Sequence, residues 1–441
     1  MPFVRRFLSV DGECVSLVDP HAFEEAYAKA KQSELERKLG QPSAKKGGSY
    51  IAALQRKLAL WGKVQPRASL AGLILPSGEV VTTAPEISEG LAAHWSQTFR
   101  WKPTESPAMT ELASFLSPLP PMAPPSRKMA AAAIRYARNK APGADGLPAE
   151  AWRAAGELGI DLCWESVLWL LGGKSFSSFW SSALLIYPPK KVRPGERKAE
   201  RRAKDPRPIS LKATANRSTM AVFSMALRDP IVKWASPQQR GFIPSRNLCW
   251  NVIEADHACR VAYFERSPGQ LPSAWALDLA AAFPNVARMW MFFVLTAIKA
   301  PVGLVDMVRH THKENRAVAL DSGIAEFKYE LASGVQQGCP FSGVMSVLSF
   351  DACVRALVFQ LGVLGWVFAC ADDLFLIIRT LELLSCVTAV FSLLSRATGL
   401  ELNLGKCVGV PLWAEATPQT LETLRIQVCE YSMHLPSENL L

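Results

Sequence analysis

The chain has 441 residues, 49% of them hydrophobic and 20% charged, and a formal net charge of +10. That composition excludes a disordered protein, because so apolar a chain buries a large core, and the length suits two or three lobes better than one compact unit. The positive balance points to an anionic partner such as nucleic acid.

The opening MPFVRRFLSVDGEC has too short an apolar run for a secretory signal, and Asp11 and Glu13 are unlike a transit peptide. From Pro20 to about Leu60 the pattern is charged, alanine-rich and helix-forming, with a break at Lys45 to Gly48. AGLILPSGEVVTTAP reads as a hairpin around Pro76-Ser77-Gly78, followed by a helix from Glu86 to Phe99. Pro103 to Arg127 is rich in proline and serine and reads as a linker. The expected division is a helical extension at 1–110, a linker at 111–127 and a new domain from Lys128.

Beyond that point helix-like and strand-like segments alternate, with proline-rich turns at 141–148 and 188–194. Residues 190–207, KKVRPGERKAERRAKDPR, carry nine Lys or Arg against three acidic residues. Two readings stand, a solvated loop or an arm that contacts phosphates. The longest apolar region, Gly343 to Ala371, is interrupted by Asp351, Arg355 and Gln360. It reads as buried core, so no membrane partner is expected. The ten cysteines form no Cys-x-x-Cys pair and no zinc-spaced cluster, so reduced intracellular thiols are expected.

Chemistry concentrates late in the chain. FACADDLFLI places Asp372 and Asp373 together inside an apolar run, and adjacent buried carboxylates need a cation or solvent to offset their repulsion and lost hydration. Strand-like residues flank the pair and predict a hairpin with both acids at its tip. Upstream, AWALDLAAAFPNV ends a strand-like run at Asp278. One acid at a strand end beside an Asp-Asp hairpin suits two divalent cations, although helix caps and chance pairs give the same pattern.

Further motifs in order carry a resemblance. KAPGADGLPAEAW (Lys140 to Trp152), RPISL (Arg207 to Leu211), QQRGFIPSR (Gln238 to Arg246), the two aspartate motifs, LASGVQQGCPFSGVMS (Leu331 to Ser346) and GLELNLGKC (Gly399 to Cys407) resemble those of non-LTR (LINE-type) retrotransposon reverse transcriptases. The seven matches cover about residues 128–410. The resemblance implies an α+β right-hand polymerase with fingers at 128–270 and a palm at 271–410, in which a small antiparallel sheet packs on helices. Residues 411–441 are then the start of a thumb or a tail, and the thumb is truncated or absent, because only 34 residues follow Cys407.

Carried over by the resemblance, Asp278 and Asp372 hold two Mg2+ ions, with Mn2+ as the alternative, Asp373 assists, and Leu279 offers a backbone carbonyl. Phe283 is the gate against a 2′-hydroxyl. Gln337 and Gly338 approach the incoming nucleotide, Arg207 contacts its triphosphate, and Lys406 is either a general acid for pyrophosphate or a surface charge. Lys190, Lys191 and Arg246 touch nucleic acid. His310 and His312 read as solvent-facing or duplex-contacting. The implied partners are an RNA template, a DNA primer and dNTPs, with a separate endonuclease or element-encoded RNA-binding protein as a further partner. The implied location is nuclear, otherwise cytoplasmic.

Several positions depart from the family pattern. Cys370 stands where an aromatic usually precedes Ala-Asp-Asp, Pro284 replaces an Asp, Ala281 replaces a Lys or polar residue, and Ser245 replaces a Gly. Two rival readings follow: a relic that binds nucleic acid without extending a primer, and a related polymerase, either a group II intron-type reverse transcriptase or an RNA-templated RNA polymerase.

Overall fold

The computed structural model describes residues 8–11, 14–17, 69–190, 198–321 and 324–431. The helix expected between Pro20 and Leu60 lies outside them. A first hairpin joins β1 (Leu8–Asp11) to β2 (Cys14–Leu17). The hairpin expected around Pro-Ser-Gly is β3 (Ser69–Ile74) and β4 (Val80–Val81), with Gly78 at φ +91° in the turn, a conformation open to glycine. Helix α1 (Ala84–Thr98) follows, its first turn opened by Pro85.

The stretch read as a linker is part of the core. Helix α2 (Ser106–Ala113) buries Ala108, Met109 and Leu112, a helical spacing that the surrounding prolines disguise. Beyond it the Leu119 N–H donates to the Ile298 carbonyl, and the Trp234 ring N–H donates to Ser117. The prolines therefore shape an extended chain that stays on the protein, and a boundary at 110/111 falls inside a packed helix.

Helices α3 (Arg127–Arg135), α4 (Ala149–Ala154), α5 (Glu157–Leu171) and α6 (Ser178–Ser181) lead to β5 (Ala183–Ile186), β6 (Lys198–Arg202) and β7 (Ile209–Leu211). Ser126 caps α3 by accepting the Met129 N–H. Part of the basic segment is thus a strand: β6 pairs parallel with β3, burying Ala199 and leaving Lys198 and Arg202 exposed. Through this pairing, residues 69–81 share a sheet with the segment expected to belong to the fingers.

Next come α7 (Thr214–Ala226), α8 (Arg228–Trp234), α9 (Leu248–Phe264), β8 (Ser273–Leu277), α10 (Ala282–Asn285), α11 (Arg288–Ala297) and α12 (Val302–His312). β9 (Arg316–Asp321) and β10 (Ile324–Glu330) form a hairpin, and β9 also pairs with β5, giving a sheet of order β10-β9-β5-β7. A single cut at 270/271 therefore does not separate the two principal sheets. α13 (Ser342–Leu361), β11 (Gly365–Cys370), β12 (Asp373–Ile378), α14 (Leu383–Thr398), β13 (Val408–Pro411) and α15 (Pro418–Tyr431) complete the described chain.

The second principal sheet has the order β11-β12-β8-β13, antiparallel throughout. Two-residue alternation sorts its side chains. Trp275, Leu277, Leu374, Leu376 and Ile378 face the main core with α13 and α14, whereas Ala274, Phe368 and Ile377 face α9. α13 has the length and apolar composition of a membrane span, but it lies buried along most of its length inside this core, the position expected from Asp351 and Arg355. Those two residues form a buried network: Asp351, fully buried, accepts from the Arg355 Nε at 2.7 Å and from the Ser236 N–H, tying α13 to the end of α8. Cys163, Cys249, Cys259, Cys339, Cys353, Cys370, Cys386 and Cys407 are free thiols.

Candidate active site

Alternation along β8 and β12 fixes the acids. Leu277 and Leu374 are opposite one another and face the core, so one step further along the same register Asp278 and Asp373 fall on the other face, beside a cleft of about 650 Å³. Cys370, Phe368 and Phe375 share that face, and α9 supplies the opposing wall with Leu248, Val252, Ala255 and Cys259. Asp372 sits half-buried in the turn between β11 and β12, directly after Ala371, which is held at φ +60°.

The electrostatics are those of a site short of positive charge. Burial, then the neighbouring Asp373 and Asp278, push the Asp372 carboxyl above its usual range; burial and then Asp278 do the same to Asp373. Lys406 opposes both shifts, and its Nζ lies 2.7 Å from Asp278 Oδ2. Among the described residues no three His, Cys, Asp or Glu side chains converge at metal-ligating distance. Acids raised in this way, with one ammonium for counter-charge, fit a divalent cation: carboxylates are the hard oxygen donors such ions take, and added positive charge would relieve the repulsion.

Loops bring the other expected residues close. Leu279, its side chain buried, pairs with Leu402, and the Asp278 carbonyl accepts the Asn403 N–H, which moors the GLELNLGKC motif beside the acids. Phe283 is partly buried, edge-on to Phe242 at 5.7 Å, and its carbonyl accepts the Val335 N–H. At Gly334, φ +73°, an added Cβ would lie 2.4 Å from the Phe283 carbonyl oxygen, so only glycine permits this approach. The Gln337 carbonyl accepts the Ser210 N–H at 2.7 Å, and a Cβ on Gly338 would meet the Ser210 oxygen at 2.4 Å. The RPISL and QQG segments are thus in direct contact. Arg207 is exposed. Burial, then the Arg207 and Lys406 charges, lower the Lys190 ammonium below its usual value, while Asp205 and Asp278 act in the opposite sense. Lys190 therefore belongs to the field of the acids.

Three expectations need correction or qualification. Arg246 does not offer its guanidinium to nucleic acid: it donates to the carbonyls of Val232, Ala235, Ser236 and Gln239, closing the end of α8. A planar fork answers several converging carbonyls as well as it answers phosphate. His312 is neither solvent-facing nor duplex-contacting, since its Nδ1 pairs with the Val308 carbonyl and burial, with Arg288 nearby, pushes its pKa down to about 3. His310 is half-buried, its Nδ1 paired with the Ser175 hydroxyl. Lys191 lies outside the described residues. Two residues given no role from sequence emerge: Lys212, fully buried, whose ammonium donates to the Ser181 carbonyl, and Gln239, whose side chain contacts the turn between β11 and β12. The Gln-x-Gly spacing within QQRGFIPSR was the only signal for Gln239.

The family model for reverse transcriptase (RNA-dependent DNA polymerase) matches residues 189–422. The retrovirus-related Pol polyprotein from the type-2 retrotransposable element R2DM of Drosophila melanogaster is 29% identical over 218 residues, which cover 48% of this chain and 20% of that protein. The chain thus spans about a fifth of that relative's length. The apo telomerase of Candida tropicalis, truncated from its C-terminal domain, aligns with a TM-score of 0.41 and 12% identity, over 55% of this chain and 52% of the other. With more than half of its residues matched by the family model, and those residues carrying the acids, this chain belongs to the reverse transcriptase family.

Proposed function

We propose that the chain is the polymerase core of a non-LTR retrotransposon reverse transcriptase, extending a DNA primer 3′ end with deoxynucleotides on an RNA template. The observation that carries this reading is the antiparallel sheet that sets Asp278 and Asp373 on one cleft face with Asp372 at the adjoining turn.

When bound, two divalent cations, Mg2+ or Mn2+, supply Lewis acidity to the primer hydroxyl and charge neutralisation to the triphosphate. Asp278, Asp372 and Asp373 would hold them, joined by the Leu279 carbonyl. Lys406, which rests on Asp278, is in this reading the general acid for the leaving pyrophosphate. Arg207 and Lys190 hold phosphate oxygens, the Arg by its bidentate fork and the Lys as a point charge. Phe283 is in this reading the gate against a 2′-hydroxyl, so deoxynucleotides are accepted. Gln337 and Gly338 bring backbone against the incoming nucleotide. An endonuclease on a separate chain and a nuclear location belong to the same proposal.

A second reading, a binding relic, has one observation in its favour: Cys370, with no ring to pack under the turn, lines the cleft beside the acids. Extension of oligo(dT) on poly(rA) by the purified chain, with dTTP against UTP and with Mg2+ against a chelator, separates the two. Metal-dependent incorporation of dTTP supports the polymerase; duplex binding without incorporation supports the relic.

A further inference from the structure

Gln239 is fully buried, and its amide uses both ends on one residue. Its Oε1 accepts the Ala371 N–H at 2.8 Å, and its Nε2 donates to the Ala371 carbonyl at 3.0 Å. The same Oε1 accepts the Gly241 N–H at 2.8 Å, so only one orientation of the amide satisfies all three partners. Ala371 directly precedes Asp372 and is held in the left-handed region at φ +60°, which a non-glycine residue adopts at a cost. Resting alongside, Gly241 lies so close that a Cβ there would stand 2.0 Å from the Ala371 nitrogen.

The neighbouring residues continue the grip as a short parallel bridge. The Ala369 N–H donates to the Gln238 carbonyl, and the Ala369 carbonyl accepts both the Arg240 N–H and the Asn251 side chain. Arg240 in turn pairs with Asn251 and Glu254 of α9. The backbone that carries Asp372 is thus fastened along the open edge of β11.

We propose that Gln239 is a positioning residue for the Asp372–Asp373 turn, holding Ala371 in the left-handed conformation that aims both carboxylates. This rests on the polymerase reading above. Of the side-chain amides only Gln has this reach, since Asn is one methylene short, while Leu offers neither donor nor acceptor and Glu replaces the donor with a charge beside three acids. Gly241 serves the same end by permitting contact.

The test compares the full chain with Gln239→Leu and with Trp234→Phe, a control that removes one buried hydrogen bond outside the contact between Gln239 and Ala371. Three quantities are read: kcat and KM for dTTP on poly(rA)/oligo(dT), duplex affinity by anisotropy, and hydrogen exchange of the peptide containing Ala371. In Gln239→Leu, kcat falls about 100-fold from the misplaced acids while KM and duplex affinity stay within about twofold. The Ala371 amide exchanges at least about tenfold faster than in Trp234→Phe. Equal kcat in the two variants, or equal exchange, overturns the proposal. If the unmodified chain extends no primer, the polymerase reading fails, and the exchange comparison still decides the role of Gln239.

Discussion

Phe283 is held by more than its own packing. The Gly334 and Val335 N–H groups donate to the Val286 and Phe283 carbonyls, so the ring cannot retreat without disturbing the loop that carries Gln337. Phe283→Ala should therefore raise the UTP/dTTP ratio of kcat/KM by about 100-fold, measured by single-nucleotide extension, with total dTTP incorporation changed less. Gly338→Ala should cost more in incorporation than in binding, because its Cβ would enter the Ser210 oxygen. Individual residues were legible in the sequence where chemistry left little choice. Acids inside apolar strand patterns needed an explanation, and Asp278 and Asp373 do line one cleft, with Asp372 in the turn next to Asp373. Arg246 was not legible, because an arginine that answers four carbonyls and one that answers phosphate look alike in one dimension. The departure at Ser245 has a local expression: it sits at φ +67°, the region its usual glycine adopts freely.

Among elements, strand alternation was the most readable feature and amphipathic stripes hidden among prolines the least. The hairpin of β11 and β12 was visible because Gly365 to Cys370 and Leu374 to Ile378 are continuous apolar runs, as strands covered on both faces should be. α2 was not, since Met109 and Leu112 lie among prolines that suggest a linker. β6 was hidden by its charge: an edge strand with exposed Lys198 and Arg202 resembles a solvated loop, and its partner β3 lies far away in the sequence. Two elements carry predictions. Asp351→Ala leaves Arg355 without its carboxylate partner and the Ser236 N–H without its acceptor at the α13–α8 junction, and should lower unfolding free energy by about 3–5 kcal/mol in denaturant titration. His312, at the end of α12, has a folded-state pKa of about 3 against about 6.5 when unfolded. Between these values the unfolded chain binds the extra proton, so stability is undiminished above about pH 6.5 and falls as pH drops, by at most about 1.4 kcal/mol per unit. His312→Gln should flatten that part of the stability profile, read by urea midpoints from pH 7 to pH 4.

At the scale of the molecule, the excess positive charge and the cleft belong together. Lys190 feels the charges of both Asp278 and Arg207 and stands with Arg207 on the border of a basic segment, so affinity for an RNA/DNA duplex should fall steeply with salt. Lys190→Ala should reduce the slope of log K against log salt by about one unit if Lys190 neutralises one phosphate, as measured by anisotropy at several ionic strengths. The broad α+β organisation was legible because the motifs occur in order. The domain limits were less so: β9 and β10 return to pair with β5, and residues 69–81 pair with β6, so the sheets are assembled from distant segments and no single cut divides them. The central claim, that the acids at this cleft perform nucleotidyl transfer, is most directly tested by primer extension with the full chain and Asp372→Asn side by side. The account predicts Mg2+-dependent extension of oligo(dT) on poly(rA) that drops by at least about 1,000-fold in the variant, with melting temperature and duplex affinity preserved. Equal extension by both proteins, or none by the folded and duplex-binding full chain, would contradict it.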